Sequence, residues 1–479
     1  MATKPNLLFV FTDQQRADTL ACYGNHRIKA PNLNALARQS FVFEHAYCTQ
    51  PVCTPSRSSI MTGLYPHTTG CLTNNLRLDA ATATIAELVG DGYERGYFGK
   101  WHLGDEISAQ HGFERWLSIE ENYRSYYSKS EDLDRFSDYH HFLVESGYEP
   151  DAESEGRCVF ARQTAAELPE AFTKATFLGQ RAAEFVREHA GRRWMLYVNF
   201  LEPHPPYTGP LNDLHADDVI ADGPHFLTGP PADAARANHI KADEYRVSDW
   251  RGFDLSQEAG WRRIRRNYAG NVTLIDRATG AILNALAESG QADNTIVVFT
   301  SDHGDMLGEH HIQGKGVQYE SAARIPLLLR VPWLNGTQRI IPGAIGQIDL
   351  VPTLLDLLGE PIPDHVHGES RTNVLRRDAD LTTNDVFVEW NVRANAAGVG
   401  TAADQTKQSE LSPRRTIVSH ERWKLNLNVD DRNELYDLDA DPYELVNRID
   451  DASQHDRVRD LSERIRAWQV RTDDTLELA

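Results

Sequence analysis

The chain has 479 residues, 41% hydrophobic and 25% charged, with a net charge of −21 at neutral pH. That balance fits one large globular core, or a large domain carrying a smaller one, and excludes a disordered chain. The charge disfavours nucleic-acid phosphates and anionic membranes as partners, and any anionic substrate needs a pocket that concentrates cations locally.

The opening stretch MATKPNLLFVFTDQQ has one short apolar run and no small-residue cleavage site, so it is read as a core strand and not as a signal peptide. No segment approaches the roughly 18 apolar residues of a membrane helix. In chain order, NLLFVFT (6–12), WMLYVNFL (194–201), TIVVFTS (295–301) and IPLLLRV (325–331) are predicted as buried strands. Helical stripes lie between them, one through Leu178, Ala182, Phe185 and Val186, another through Ile275, Ala278, Ile282 and Leu286. The alternation predicts an α/β domain over 1–384, a large, mostly parallel central sheet flanked by helices. From about 385, DVFVEWNV, RTIVSHERWKLNLN and NELYDLDADPYE predict short strands joined by turns, followed by a helix near 456–470. Residues 385–479 are therefore read as a smaller C-terminal antiparallel sheet plus helix. Residues 120–165 and 205–260 are polar with little periodicity, and are read as surface insertions that shape a pocket with the C-terminal unit.

Asp13 follows the first predicted strand, EPHPPY with His204 the second, and Asp302 with His303 the third. Ligands of doubly wound sheets bind beyond the carboxyl ends of the strands, so three strands deliver polar residues to one candidate edge. In CTQPVCTPSRSSIMTG (48–63), Pro55 marks a predicted helix start, which puts Cys53 near a helix N-terminus with Arg57 one turn along. Free N–H groups, the dipole and the guanidinium there favour an anion or an activated thiol. Alone, Cys53 reads as a packed core cysteine and Lys100 as a solvated charge. The five cysteines (Cys22, Cys48, Cys53, Cys71, Cys158) are odd in number and irregularly spaced, which favours a reducing compartment, the cytoplasm, over a disulfide framework. His140 with His141, His310 with His311, and His365 with His367 form no complete ligand set and are read as surface histidines.

PVCTPSRSSIMTG resembles the sulfatase signature Cys-x-Pro-Ser-Arg, whose cysteine is oxidised to formylglycine. FTDQQRADTLACYGN, PNLNALARQSFVFEHAYCTQPVC, GYFGKWHLG, SDHGDMLGEHHIQGKGVQYE and WKLNLNVDDRNELYDLDADPYE resemble further segments of that family, in its order and over nearly the whole chain. The resemblance implies an alkaline-phosphatase-like fold and hydrolysis of sugar or aryl sulfate esters. One hydroxyl of a hydrated formylglycine at 53 would attack sulfur and expel the alcohol. The second would then lose its proton, so that the carbonyl re-forms and inorganic sulfate leaves. The resemblance also implies one divalent metal, Ca²⁺ first with Mn²⁺ or Mg²⁺ as alternatives, on Asp13, Gln14, Asp302, His303 and the modified Cys53. Arg57, Lys100, His102, His204 and Lys315 would bind and polarise the sulfate, and Arg57, Lys100 and Lys315 meet the local cation condition. The implied partners are a sulfated small molecule or carbohydrate and a formylglycine-generating enzyme.

Two departures bear on the activity. Gln14 and His303 stand where many sulfatases have aspartate and asparagine, a pattern shared with relatives that cleave phosphonate monoesters and phosphodiesters. That hydrolysis is the alternative activity. Arg95 stands where serine or threonine is common, just before Lys100 and His102, whose spacing of two predicts one face of an extended segment. His67, Asn74, Asn75 and Arg77 are expected to line a substrate pocket.

Overall fold

The computed structural model of the chain describes residues 4–121, 123–154, 156–391 and 412–478. Val392, the last residue of the predicted segment DVFVEWNV, lies outside them. The strands in chain order are β1 (Asn6–Asp13), β2 (Phe41–Tyr47), β3 (Glu94–Gly99) and β4 (Arg115–Leu117), then a small hairpin of β5 (Ala152–Ser154) and β6 (Arg157–Val159). After it come β7 (Trp194–Pro203), β8 (Thr295–Ser301), β9 (Arg324–Ile325), β10 (Leu327–Arg330) and β11 (Arg339–Gly346). Apart from the hairpin they form one sheet in the order β11-β2-β10-β8-β1-β7-β3-β4, with β9 paired to β2.

β1 lies at the centre because both its faces are covered. Leu7, Phe9 and Phe11 pack into one layer with Ile60, Met61 and Leu354, while Leu8 and Val10 pack into the other with Leu178, Val186, Ile275 and Ile282. Strands buried on both faces read as continuous apolar runs, and each such side chain contributes about 1.5–3 kcal/mol of burial free energy. β7 and β8 flank β1 in parallel, and β3 continues in parallel beyond β7. The predicted strand 325–331 forms as two pieces, β9 and β10, parted at Pro326, which has no N–H to offer a ladder. Both pieces run against their neighbours β2 and β8.

The C-terminal strands β12 (Val386–Trp390), β13 (Arg414–Val418), β14 (Trp423–Asn428) and β15 (Glu434–Asp437) form a separate antiparallel sheet in that order. Their alternation gives it two apolar faces. Ile417, Leu425, Leu427 and Leu435 hold the helix His455–Arg471 through Leu461, Ile465 and Trp468. Val386, Val388, Val418 and Tyr436 pack on Tyr47, Met306, Val317 and Tyr319. The small sheet thus leans on the loop that follows β8.

The insertions are more ordered than their composition implies. The first contains the helix Asp138–Glu145 as well as the hairpin. The second contains the helix Arg236–Asp243, and it buries Tyr207, Val219, Ile220, Phe253 and Leu255 against Trp261, Ile264 and Tyr268. Two of the histidines read as surface groups are buried: His310 stacks on Tyr319 and His140 on Phe136, both with ring centroids 4.0 Å apart. In each case an aromatic partner replaces solvent. His141 and His365 are exposed, and His311 and His367 half-buried. Among the described residues no helix is long and apolar enough to cross a membrane.

Candidate active site

The residues after β1 and β8 meet at the carboxyl edge of the sheet. Gln14 takes φ +76°, a left-handed conformation, and its N–H donates to Asp302 Oδ1 at 2.9 Å. Past β8 the chain turns at Gly304, where a Cβ would lie 2.0 Å from the Ser321 carbonyl oxygen, so that only glycine permits the approach. Cys53 is itself the first residue of the helix Cys53–Thr62, two residues earlier than Pro55 signals. Pro55 sits within the first turn, where its missing N–H would have had no helical acceptor. Every residue of this helix is buried.

Asp13, Cys53, Asp302 and His303 bring their ligand atoms within 4.8 Å of one another. His303 Nδ1 faces the Gly304 carbonyl at 2.9 Å and therefore carries a proton, so Nε2, 3.3 Å from Cys53 Sγ and 3.5 Å from Asp302 Oδ1, is the ring's ligand atom; burial pulls the ring down, but Asp302 and Cys53 outweigh it and hold it above its ordinary value. Gln14 is oriented too: its Nε2 donates to Tyr207 Oη at 3.0 Å and Asp305 Oδ2 at 2.7 Å, which turns Oε1 toward the cluster. Two carboxylates, an amide oxygen and an imidazole nitrogen fit a divalent cation: the three oxygens suit a hard ion, and the nitrogen also admits Mn²⁺.

Three cations surround these groups. Arg57 donates through Nη2 to Asp13 at 3.0 Å, through Nε to Asp302 at 3.0 Å, and through Nη1 to the Lys100 carbonyl at 2.8 Å and Asn199 Oδ1 at 2.7 Å. Lys100 Nζ lies 2.6 Å from Asp13 Oδ2. Lys315 Nζ lies 3.0 Å from Cys53 Sγ and 2.7 Å from Gln14 Oε1, and it is the most open of the three, at 16% exposed. Burial pushes the Asp13 carboxyl up, but Lys100, Lys315 and Arg57 outweigh it and hold Asp13 well below the usual range. Burial and Asp13 push the Cys53 thiol up, while Lys315, Lys100 and His303 bring it below its ordinary value.

The two histidines are neutral. Burial, then Lys100 and Arg57, depress His102. Burial likewise depresses His204 against the pull of Asp13, helped by Lys315 and Lys100. Asn75 Nδ2 donates to Tyr126 Oη at 3.3 Å, so Asn75 Oδ1 accepts from His102 Nε2 at 2.7 Å. The remaining His102 Nδ1 is buried and has no hydrogen-bond partner among the described residues, which leaves it a free acceptor. His204 Nδ1 donates to the Pro205 carbonyl at 2.8 Å, which leaves Nε2 as its acceptor.

A family profile described as sulfatase matches residues 5–360, and one for the C-terminal part of N-sulphoglucosamine sulphohydrolase matches residues 308–471. The uncharacterized sulfatase YidJ of Escherichia coli K12 is 30% identical over 97% of this chain and 88% of its own length. The chain belongs to the sulfatase family, whose members are sulfuric ester hydrolases. A sulfatase of Bacteroides thetaiotaomicron, N-acetylglucosamine-6-O-sulfatase, is 26% identical over 98% of this chain and 87% of its own. Among solved structures, the phosphonate monoester hydrolase of Agrobacterium radiobacter superposes with a TM-score of 0.74 at 25% identity, covering 98% of this chain and 96% of that one.

In this sulfatase the Lys100–His102 segment is not extended. β3 ends at Gly99, and His102 takes φ +59°. Both side chains nevertheless meet one ring: His102 stacks on Tyr123 at 4.2 Å and Lys100 Nζ lies 5.7 Å from its centroid. Arg95 sits at the far end of β3, on the Val89 and Gly90 carbonyls, away from the cluster. Of the four residues expected to line a pocket, Asn75 and Arg77 border a cavity of about 870 Å³ with Leu103, Gly104 and Tyr126. Asn74 accepts from Thr54 N at 3.0 Å. His67 turns away to Glu389, 2.6 Å from its Nδ1. Asn199, Tyr207 and Asp305 were not singled out from sequence, although an asparagine inside the apolar run WMLYVNFL was a visible signal.

Gly99 has φ +118°, and a Cβ there would lie 2.0 Å from the Asn199 carbonyl oxygen. Gly99→Ala is expected to cost at least about 2 kcal/mol in urea unfolding and to displace Lys100. Unchanged stability would contradict the contact.

Proposed function

We propose that the protein is a formylglycine-dependent sulfatase that converts sugar or aryl sulfate esters to the alcohol and inorganic sulfate, with Cys53 as the residue matured to formylglycine. The observation that carries this reading is the cation-lined pocket around Cys53, built from Arg57, Lys100 and Lys315 inside a chain of charge −21. Asp13, Gln14, Asp302 and His303 would hold a divalent ion, Ca²⁺ first by their oxygens with Mn²⁺ or Mg²⁺ as alternatives, and when bound it would supply positive charge beside the nucleophile and the sulfate. Lys100 and Lys315, both paired with Asp13, hold sulfate oxygens. Lys315, the more open, faces the leaving group and steadies its developing charge. His102, kept neutral with Nδ1 free, takes the proton of the second hydroxyl, which releases sulfate. His204 offers Nε2, and an anion beside it favours its protonation and a hydrogen bond to sulfate. Arg57 positions Asp13 and Asp302, since its donors are already committed to them. The C-terminal unit completes the pocket wall through Trp390, which packs beside Gly316 next to Lys315, and maturation requires a formylglycine-generating enzyme.

Gln14 and His303 favour a second reading, hydrolysis of phosphonate monoesters or phosphodiesters on the same scaffold. All these esters carry a single negative charge, so the cation count does not separate them. Turnover of an aryl sulfate and an aryl phosphodiester on one matured preparation does. The sulfate is expected to be the better substrate, and a diester faster by orders of magnitude would overturn the first reading. Activity is expected to vanish on chelation and return with Ca²⁺; full activity in verified metal-free protein would remove the metal from the account.

A further inference from the structure

The turn after β3 carries Lys100 and His102 but does not hold itself. It bends through His102 at φ +59°, a conformation costing about 1–3 kcal/mol for a side-chain-bearing residue, and it must be imposed by its surroundings. The N–H groups of Trp101 and His102 find no ladder partner there. One side chain takes both: Glu106 Oε1 accepts from Trp101 N at 2.7 Å, and Oε2 accepts from His102 N at 2.9 Å. Glu106 is fully buried, and its own carbonyl accepts from the Trp116 indole at 2.9 Å. A carboxylate that accepts from two successive amides fixes their peptide planes as a fork. From that turn Lys100 reaches Asp13, the Lys100 carbonyl receives Arg57, and the His102 ring reaches Asn75.

We propose that Glu106 is a positioning residue for hydrolysis: its carboxylate clamps Trp101 and His102 so that Lys100 and His102 face the reacting centre. Its activity arm rests on the sulfatase reading; the clamp itself does not.

The groups facing Glu106 are Lys100 and His102 from its own loop, Tyr97 from β3, and Glu120 and Tyr127 from the segment beyond β4. Burial pushes Glu106 up to about 7; the two amides and Lys100 pull it down, and Glu120 adds to the rise. Glu120 is held low despite its burial, by Arg162 and Lys174. Both tyrosines are raised, by burial first. Lys100 lies above its ordinary value because Asp13 outweighs burial, and His102 lies below its own. Near neutrality Glu106 is therefore the member of this set that changes charge. Above pH 7 both oxygens accept. Burial is what raises the carboxyl, so the buried turn holds a proton better than a solvent-open one would, and acidification by linkage does not open it; the charged clamp is therefore tested above pH 7.

The test begins with amide exchange on the full chain and on Glu106→Gln, both at about pH 8. A glutamine keeps one acceptor oxygen and turns the other position into a donor, so at least one of the Trp101 and His102 amides is expected to lose about tenfold or more of its protection, the scale of a lost charged hydrogen bond. Protection equal to wild type at both amides overturns the clamp, and this arm needs no turnover. On matured enzyme with 4-nitrophenyl sulfate, Glu106→Gln is expected to lower kcat about tenfold or more, with KM little changed. Glu106→Asp is expected to keep part of kcat. Wild-type kcat in Glu106→Gln overturns the proposal. Absence of any sulfate turnover would instead defeat the sulfatase reading, with the exchange arm still deciding the clamp.

Discussion

Replacing Cys53 with alanine is expected to abolish turnover and leave the fold intact. The residue is buried, but the polar partners of its sulfur among the described residues all belong to the cluster: Lys315 at 3.0 Å, His303 at 3.3 Å and Asp13 at 3.7 Å. Without it Lys315 keeps Gln14, and Asp13 keeps Lys100 and Arg57, so unfolding stability is expected to change by no more than about 1 kcal/mol. Turnover is expected to drop by about 10⁴-fold or more, the scale of losing a covalent nucleophile. Cys53→Ser sharpens the assignment. A serine oxygen can accept the sulfuryl group but has no second hydroxyl whose deprotonation expels it, so one turnover followed by arrest is expected. Steady multiple turnover by either variant would refute Cys53 as the nucleophile position. Fragment-resolved mass spectrometry of the tryptic peptide Gln39–Arg57 locates the aldehyde directly, and it must separate Cys53 from Cys48 on the same peptide.

The parts of the fold legible in the sequence are those where burial is two-sided. β1, β7 and β8 lie between two helical layers, so their sequences are unbroken apolar runs, and Asp13, His204 and Asp302 stand out where those runs stop. β2 escapes this signal because Glu44 and His45 interrupt FVFEHAY, and β11 because Pro342 and Gly343 fall where its register to β2 shifts. The direction of β10 is not encoded in its apolar residues, since a buried strand reads alike in either sense. The charges of the site were legible as residue types, but their roles depend on partners far away in the chain. Arg57 shows this: nothing in its sequence position says that it bridges Asp13 and Asp302. Glu106 and Asn75 act through one backbone turn and one ring tautomer, and neither leaves a periodic trace. The left-handed turns at Gln14 and His102 are invisible for the same reason: both residues are imposed on their conformation by hydrogen bonds formed only after folding.

Arg57→Met is expected to cost about 3–5 kcal/mol of unfolding free energy, measured with denaturant in the presence of chelator. Arg57, Asp13 and Asp302 all have fully buried side chains, so the guanidinium is the interior counter-charge of two carboxylates. Asp13 would keep Lys100, but Asp302 would keep the Gln14 and His303 amides and the His303 ring, 3.5 Å away, on Oδ1, and among the described residues no guanidinium on Oδ2. Arg57→Lys is expected to recover little. An ammonium is a point donor on a flexible stem, whereas the planar guanidinium reaches Asp302, Asp13, the Lys100 carbonyl and Asn199 at once. Added Ca²⁺ is expected to narrow the deficit of both variants, because an ion that binds only the folded carboxylates stabilises by mass action and replaces part of the missing charge. A loss in Arg57→Met below about 1 kcal/mol, the scale of an exposed ion pair, would mean that the carboxylates find solvent or another partner, and full recovery in Arg57→Lys would mean that charge alone, without the fork, suffices. Either result would move Arg57 out of its positioning role. The expected one makes it the residue that keeps two like charges together at the edge of the sheet before any substrate arrives.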